Sequence, residues 1–311
     1  MTNEPPVPAY ENPNLAWRSF KSRTPIESCR LTSADLKRLY RIFSAKQLEY
    51  LNGLESKISQ IEEESVQQFN QRAQRVRDAL IVTVTVTGSN GIMTTGHGEE
   101  FFESSEFPDS VDQVFFDTSF SPKALLDHDP TEQATLLLDF TRPLLLDVSN
   151  PPTAQTPNNS NYFISSTSES WARSLSSQLS EFFADRKLPT NWIHKAGAYD
   201  WLLMLLGLPL SLWGTFRAYN LFFGNLDLNS GIQIPIHIYF MFLSLYIFRG
   251  LFAYFKWMVP KMEFEGVASP GKLQRRFWYT VVLAIIAAAV YDAVQFGIMQ
   301  NTALVMANKL T

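Results

Sequence analysis

Three long apolar stretches, residues 199–223, 232–255 and 277–299, fill most of the last third of the chain and constrain its fold more than any other feature. A helix needs roughly 20 predominantly apolar residues to cross about 30 Å of hydrocarbon. The second and third stretches reach that length, although each contains an ionisable residue. The first runs uncharged from Trp201 to Phe216 and then meets Arg217, and its Gly207 and Pro209 predict a kink that a membrane helix tolerates. Core helices of soluble proteins carry a polar stripe, whereas residues 281–290 have none, so lipid is the better solvent for them. The mean hydropathy of −0.07 averages this region with a polar one, residues 1 to about 190, rich in Glu, Gln, Ser and Asn.

The distribution of basic residues orients the spans. Lys256, Lys261, Lys272, Arg275 and Arg276 lie between the second and third stretches, and the positive-inside rule places that segment in the cytoplasm. Residues 224–231 hold no Lys or Arg and suit the opposite side. Arg186, Lys187 and Lys195 precede the first stretch and again belong inside. All three signs agree with three crossings, a multi-pass protein of the cell membrane and a cytoplasmic N-terminal domain. Two crossings are the alternative, but they would require export of the polar two-thirds. Residues 1–13 have no basic flank leading into an apolar run, so no secretory signal is read. Trp192, Trp201, Trp257 and Trp278 fall near the expected cytoplasmic ends, where amphipathic rings favour the headgroup layer. The five basic residues are expected to face lipid, anionic headgroups above all.

Arg217, Arg249 and Asp292 lie inside the apolar stretches, where a charge is costly and calls for a partner or a role. At a rise of about 1.5 Å per residue, Asp292 falls about 22 Å from Phe277 and Arg217 about 25 Å beyond Asp200, at similar depths. The expected pairs are Arg217 with Asp292 and Arg249 with Asp200, either stapling the bundle or, on a sharper reading, lining an ion path. Ala284, Ala287, Ala288, Ala289 and Ala293 let the third helix approach another span closely, or another copy of the chain in a homo-oligomer.

The polar part divides into a poorly ordered tail at 1–30, an amphipathic or coiled-coil-like helix at 31–80 and a small α+β domain at 80–190, before the membrane region at 196–311. Thr32 and Asp35 form a capping-box variant with Asp in place of Glu. Leu51, Leu54, Ile58 and Ile61, then Phe69, Ala73, Val76 and Leu80, line a seam with Ser65 between the halves, and Asn52-Gly53 offers a break. Alternation at 80–87, the Gly88–Gly91 turn and residues 92–95 predict a hairpin, and 111–118 and 134–141 read as further strands. Pro143, Pro151, Pro152 and Pro157 mark a long loop. Ser166 with Glu169 opens a helix whose Trp171, Leu175, Leu179 and Phe182 share a face, and this helix is expected to run into the first span and couple domain to membrane. The fold class is therefore an α+β cytosolic domain (helix, about four mainly antiparallel strands, helix) followed by a C-terminal α-helical transmembrane bundle.

No motif carries catalytic chemistry, and no cofactor or metal site is read. His97 sits between glycines in a turn, Asp127-His128-Asp129 reads as a solvated loop, and Gly88–Gly91 lacks the Lys of a phosphate loop. Asn158-Asn159-Ser160 matches a glycosylation sequon, in a segment expected to face inside. A net charge of −4 with a pI near 5.7 gives no footprint for nucleic acid, and the single Cys29 rules out an intramolecular disulfide. The order of parts resembles that of bacterial inner-membrane proteins with a small cytosolic domain, a resemblance that brings no activity or site residue with it. The expected function is a membrane-anchored interaction or sensing protein whose cytosolic domain binds a protein partner or small ligand. A small oligomeric channel is the alternative.

Overall fold

The computed structural model describes residues 19–55, 65–126, 129–145, 150–226, 229–265 and 274–281. The chain divides into two units. The first holds the described residues of Met1–Thr141, Pro157–Asn191 and Lys261–Gly266, and the second those of Arg142–Thr156, Trp192–Pro260 and Val267–Thr311.

The first unit is built on a six-stranded antiparallel sheet: β1 (Phe20–Pro25), β7 (Asn161–Ser166), β6 (Gln133–Asp139), β5 (Val111–Asp117), β3 (Thr83–Gly88) and β4 (Met93–Gly96), in that order. Alternation decides which side chains enter the core. Val84, Val86, Val114, Phe116, Leu136, Leu138, Tyr162 and Ile164 are buried, while Thr85, Phe115, Leu137 and Phe163 between them are half-buried. Helix α1 (Ser33–Glu55) adds Leu36, Leu39 and Phe43, and α4 (Glu169–Ala184) adds Trp171, Leu175, Leu179 and Phe182 to the same cluster. The predicted face of α4 is the buried one.

Local chemistry explains the helix starts. Thr32 and Asp35 form the reciprocal box at α1: the Thr32 amide donates to Asp35 Oδ2 (2.9 Å) and the Asp35 amide to Thr32 Oγ1 (3.2 Å). Asp35 also accepts from Arg186 Nε at 2.7 Å, and Arg186 lies 3.9 Å from the Phe182 ring centroid. Burial pushes the Asp35 carboxyl up, but the bonds from Thr32 and Arg186 outweigh it and hold the group below the usual carboxylate range.

Several expectations are corrected. The segment read as a tail at 1–30 contributes two strands, β1 and β2 (Cys29–Leu31); β1 escapes an alternation test because an edge strand buries little, and its partner β7 lies far along the chain. The sheet has six strands rather than about four, β7 having been read as loop. Asn52-Gly53 does not break α1, which continues to Glu55. Ser65 is not a seam residue but the N-cap of α2 (Val66–Ala79), in a capping box with Gln68, and a short α3 (Phe120–Leu126) follows β5. Helix α4 is capped by Ser168 Oγ on the Trp171 amide rather than by Ser166, whose hydroxyl donates to Ser168 O. Ile58 and Ile61 lie outside the described residues. A second, parallel pair joins β2 to β8 (Met262–Phe264), a strand inside the segment read as a basic loop.

The second unit contains two helices long and apolar enough to cross a membrane, Ala198–Phe223 (26 residues) and Ser230–Met258 (29 residues, α7). At about 1.5 Å per residue both exceed the hydrocarbon thickness and accommodate tilt. The first comprises α5 (Ala198–Leu202), a π-turn (Leu203–Gly207) and α6 (Leu208–Phe223). The expected kink thus resolves as a π-turn just before Pro209, where the ladder must absorb a missing N–H. Helices α6 and α7 pack on each other through small residues: Ser211 and Thr215 are buried, and a Cβ at Gly207 would meet the Phe248 ring at 3.0 Å. Outward, the helices are apolar and open, with Leu205 66%, Phe216 61% and Phe242 63% exposed. Only 17% and 6% of the two apolar windows is buried, unlike core helices of a soluble protein. Residues 274–281 are helical; the rest of the third stretch lies outside the described residues.

Candidate functional site

A cavity of about 240 Å³ opens in the first unit where the end of β1 and the β1–β2 connection meet β7 and the last turns of α4. Its walls include Ile26, Phe183 and Ala184, and its neutral polar groups are the hydroxyls of Thr24, Ser28, Tyr162 and Ser180. Tyr162 reaches it from β7, its OH 3.0 Å from Ser180 Oγ and 3.5 Å from Ser176 Oγ. Burial raises the Tyr162 phenol, but hydrogen bonds with Ser176, Ser180 and Thr24 outweigh it and leave the group below its ordinary value. Ser28, another lining residue, is 1% exposed, and its Oγ has no hydrogen-bond partner among the described residues. A buried hydroxyl without a partner is costly and calls for a group that would satisfy it. The volume suits a small molecule, below the usual drug-sized range of about 300–1,000 Å³.

Glu27 and Lys187, paired with each other, also line the cavity. The next residues join the segments that precede and follow the two apolar helices in the chain. Ser28 O accepts from the Leu188 amide at 3.1 Å, and Cys29 bridges Lys187 in antiparallel fashion. Cys29–Leu31 then pairs with Met262–Phe264, which follows α7 after a few residues. Arg30 Nε reaches the buried Glu263 carboxylate at 3.0 Å, and Cys29 Sγ lies 3.5 Å from Met262 Sδ. On the other side, a 3₁₀ turn (Pro189–His194) separates α4 from Ala198, so α4 does not run directly into the first apolar helix as expected.

Neither expected pair of charges in the apolar stretches is seen among the described residues. Among the described residues no ion pair joins Arg249 to Asp200; Asp200 is exposed in the first helical turn, where the helix dipole favours a carboxylate. Arg217 is exposed, its guanidinium 5.5 Å from the Trp213 ring centroid one turn earlier. Its expected partner Asp292 lies outside the described residues, as do Lys272 and the alanines of the third stretch. Lys256 is corrected: it is 9% exposed, inside α7, and its Nζ donates to Pro152 O (3.2 Å) and Ala154 O (3.3 Å), so carbonyl oxygens rather than lipid receive its charge. Lys261 is half-buried, and burial holds its ammonium below the usual lysine range against the pull of Glu27. Arg275 is half-buried and Arg276 exposed on the 274–281 helix.

The turn motifs make local contacts, and Asp127 and His128 lie outside the described residues. His97 Nδ1 lies 3.2 Å from Val82 O, the Gly98 amide (φ +85°) donates to Tyr40 OH, and Asp129 pairs with Lys123 at 3.2 Å. Asn158 and Asn159 bond to Asp139 through their side-chain amides at 3.0 and 3.1 Å. Sequence reasoning missed Ser28, Tyr162 and Ser180 because no local pattern marks them; only long-range strand pairing gathers their hydroxyls. Comparison of the chain with family models, curated proteins and solved structures gave no match.

Proposed function

We propose that this chain is a membrane-anchored sensing protein whose α+β unit binds a small ligand in the Ser28–Tyr162–Ser180 cavity and passes its state to the membrane helices. The observation that carries this reading is the position of the cavity on the chain: its wall at Glu27–Ser28 continues into β2, which holds β8 and so the end of α7, while its wall at Lys187 continues into the 3₁₀ turn before Ala198. A ligand that satisfies Ser28 Oγ acts on both attachments at once, and differential affinity for two arrangements of them is what coupling requires. The test fills the cavity. A panel of small polar metabolites is screened by thermal unfolding of the full chain in detergent micelles. Compounds that raise the midpoint of the wild type should leave Ala184→Leu unmoved; stabilisation that persists in that variant refutes the site.

The same reading sets the topology. The chain leaves the α+β unit after Asn191 and rejoins it at Lys261, and a return to one side of a bilayer takes an even number of crossings, here the two apolar helices. With the basic residues inside, the α+β unit is cytoplasmic, Gly224–Asn229 is outside, and residues 277–299 supply a third span. On this reading Lys261, Lys272, Arg275 and Arg276 meet anionic lipid. In a Cys29→Ser background, a membrane-impermeant thiol reagent added to intact cells should label a cysteine at Asn229 and spare one at Ser89. Labelling at Ser89 with protection at Asn229 would invert the topology. No observation among the described residues favours the pore reading.

A further inference from the structure

We infer that the β6–β7 connection is a membrane-interface element whose exposed Leu144 and Leu145 enter the lipid headgroup boundary; the inference rests on the proposed membrane reading. By sequence this segment is a loop of the α+β domain, yet its described residues within Arg142–Thr156 belong to the unit that holds the apolar helices. Contacts with both helix ends hold it there. Arg142 stacks on Trp257 at 5.0 Å and donates to its carbonyl at 3.5 Å. Lys256 Nζ binds Pro152 O and Ala154 O, at the C-terminal end of α7. At the N-terminal end of the first apolar helix, the Gly197 amide donates to Thr153 O (2.9 Å) and the Thr156 amide to His194 O (3.1 Å). His194, 1% exposed, joins the two: Nδ1 lies 3.1 Å from Thr156 Oγ1 and Nε2 lies 2.7 Å from Val259 O.

The segment is therefore clasped at the level where both helices end, the level of Trp257 and of the exposed Trp192 and Trp201. Rings of this kind settle at the headgroup layer. Leu144 is two residues from Arg142, within about 7 Å of it along the chain. Leu144 is 73% and Leu145 45% exposed, two adjacent large apolar side chains close in the chain to the Arg142–Trp257 contact. A lipid surface is the partner that such a position offers, since lipid already covers the neighbouring surface on this reading.

The test uses the full chain in phospholipid vesicles with Cys29→Ser and one cysteine bearing an environment-sensitive fluorophore, at Leu144 or at Phe242 in the middle of α7. Vesicles carry nitroxide lipids labelled near the headgroup or near the chain end. The label at 144 should be quenched more strongly by the shallow nitroxide, with a blue-shifted emission, and the label at 242 by the deep one. Quenching at 242 with none at 144 overturns the inference and leaves the membrane reading standing, whether the 144 label emits as in water or is shielded by protein. Absence of quenching at both sites overturns both.

Discussion

Alkylation of Cys29 at pH 8 is expected to run about a thousandfold more slowly in the folded protein than in the urea-unfolded chain. Burial pushes the thiol from its ordinary 9.0 up to about 12, against the lowering pull of Arg186. Between those values the thiolate, the form that reacts, becomes about a thousandfold scarcer at pH 8. The residue is also 1% exposed. Mass spectrometry over a time course of iodoacetamide measures the ratio, and comparable rates in the two states would refute the buried β2–β8 pair. The sign of the pH dependence follows. Because the folded value is the raised one, the contribution of Cys29 to stability is intact below pH 9.0 and is lost as pH rises from 9.0 toward about 12, while only the unfolded chain ionises. Cys29→Ala should flatten the fall in stability over that window. The thiol touches Met262, so its rate of modification also reports how often β8 leaves β2. A ligand for the cavity should change that rate.

Lys256→Met should release the clasped segment. The lysine serves two carbonyl oxygens at 3.2 and 3.3 Å from a position 9% exposed. Hydrogen bonds from a charged donor are worth about 1.5–3 kcal/mol each, and partial rearrangement brings the combined loss to about 3 kcal/mol. By hydrogen exchange in micelles, the amides of Thr156 and Gly197 should then open on the order of 100-fold more often, since about 1.4 kcal/mol is tenfold. Lys256→Arg, which keeps the charge and donors, should recover part of the protection. Unchanged exchange in Lys256→Met would mean that the other contacts hold the segment unaided.

What the sequence makes legible depends on the range of the interaction. The apolar stretches need no partner to be recognised, because their solvent is specified by composition alone. Strands β3, β5 and β6 sit inside the sheet and alternate accordingly, so local pattern finds them. Strand β1 reads FKSRTP, with its three central residues exposed, and only its register with β7 makes it a strand. Three-residue β8 offers no period at all, and its partner Cys29–Leu31 lies more than two hundred residues earlier. The cavity fails for the same reason: Ser28, Tyr162 and Ser180 come from three elements, and none is distinctive in its own neighbourhood. Where propensity and packing conflict, at Asn52-Gly53, the helix already anchored through Leu36, Leu39 and Phe43 continues past two residues that favour an end.

The β2–β8 pair also fixes an order of assembly. Strand β8 leaves the ribosome only after both apolar helices have been made, so the unit whose first strand begins at Phe20 stays unfinished until then. Until then Cys29 and Leu31 lack their strand partner, and Phe107 and Phe140 lack the ring of Phe264, 6.1 and 5.6 Å away in the finished fold. The β2 edge is thus covered only by residues that follow both apolar helices in the chain, and closure of the unit waits on the last of its own segments to be made.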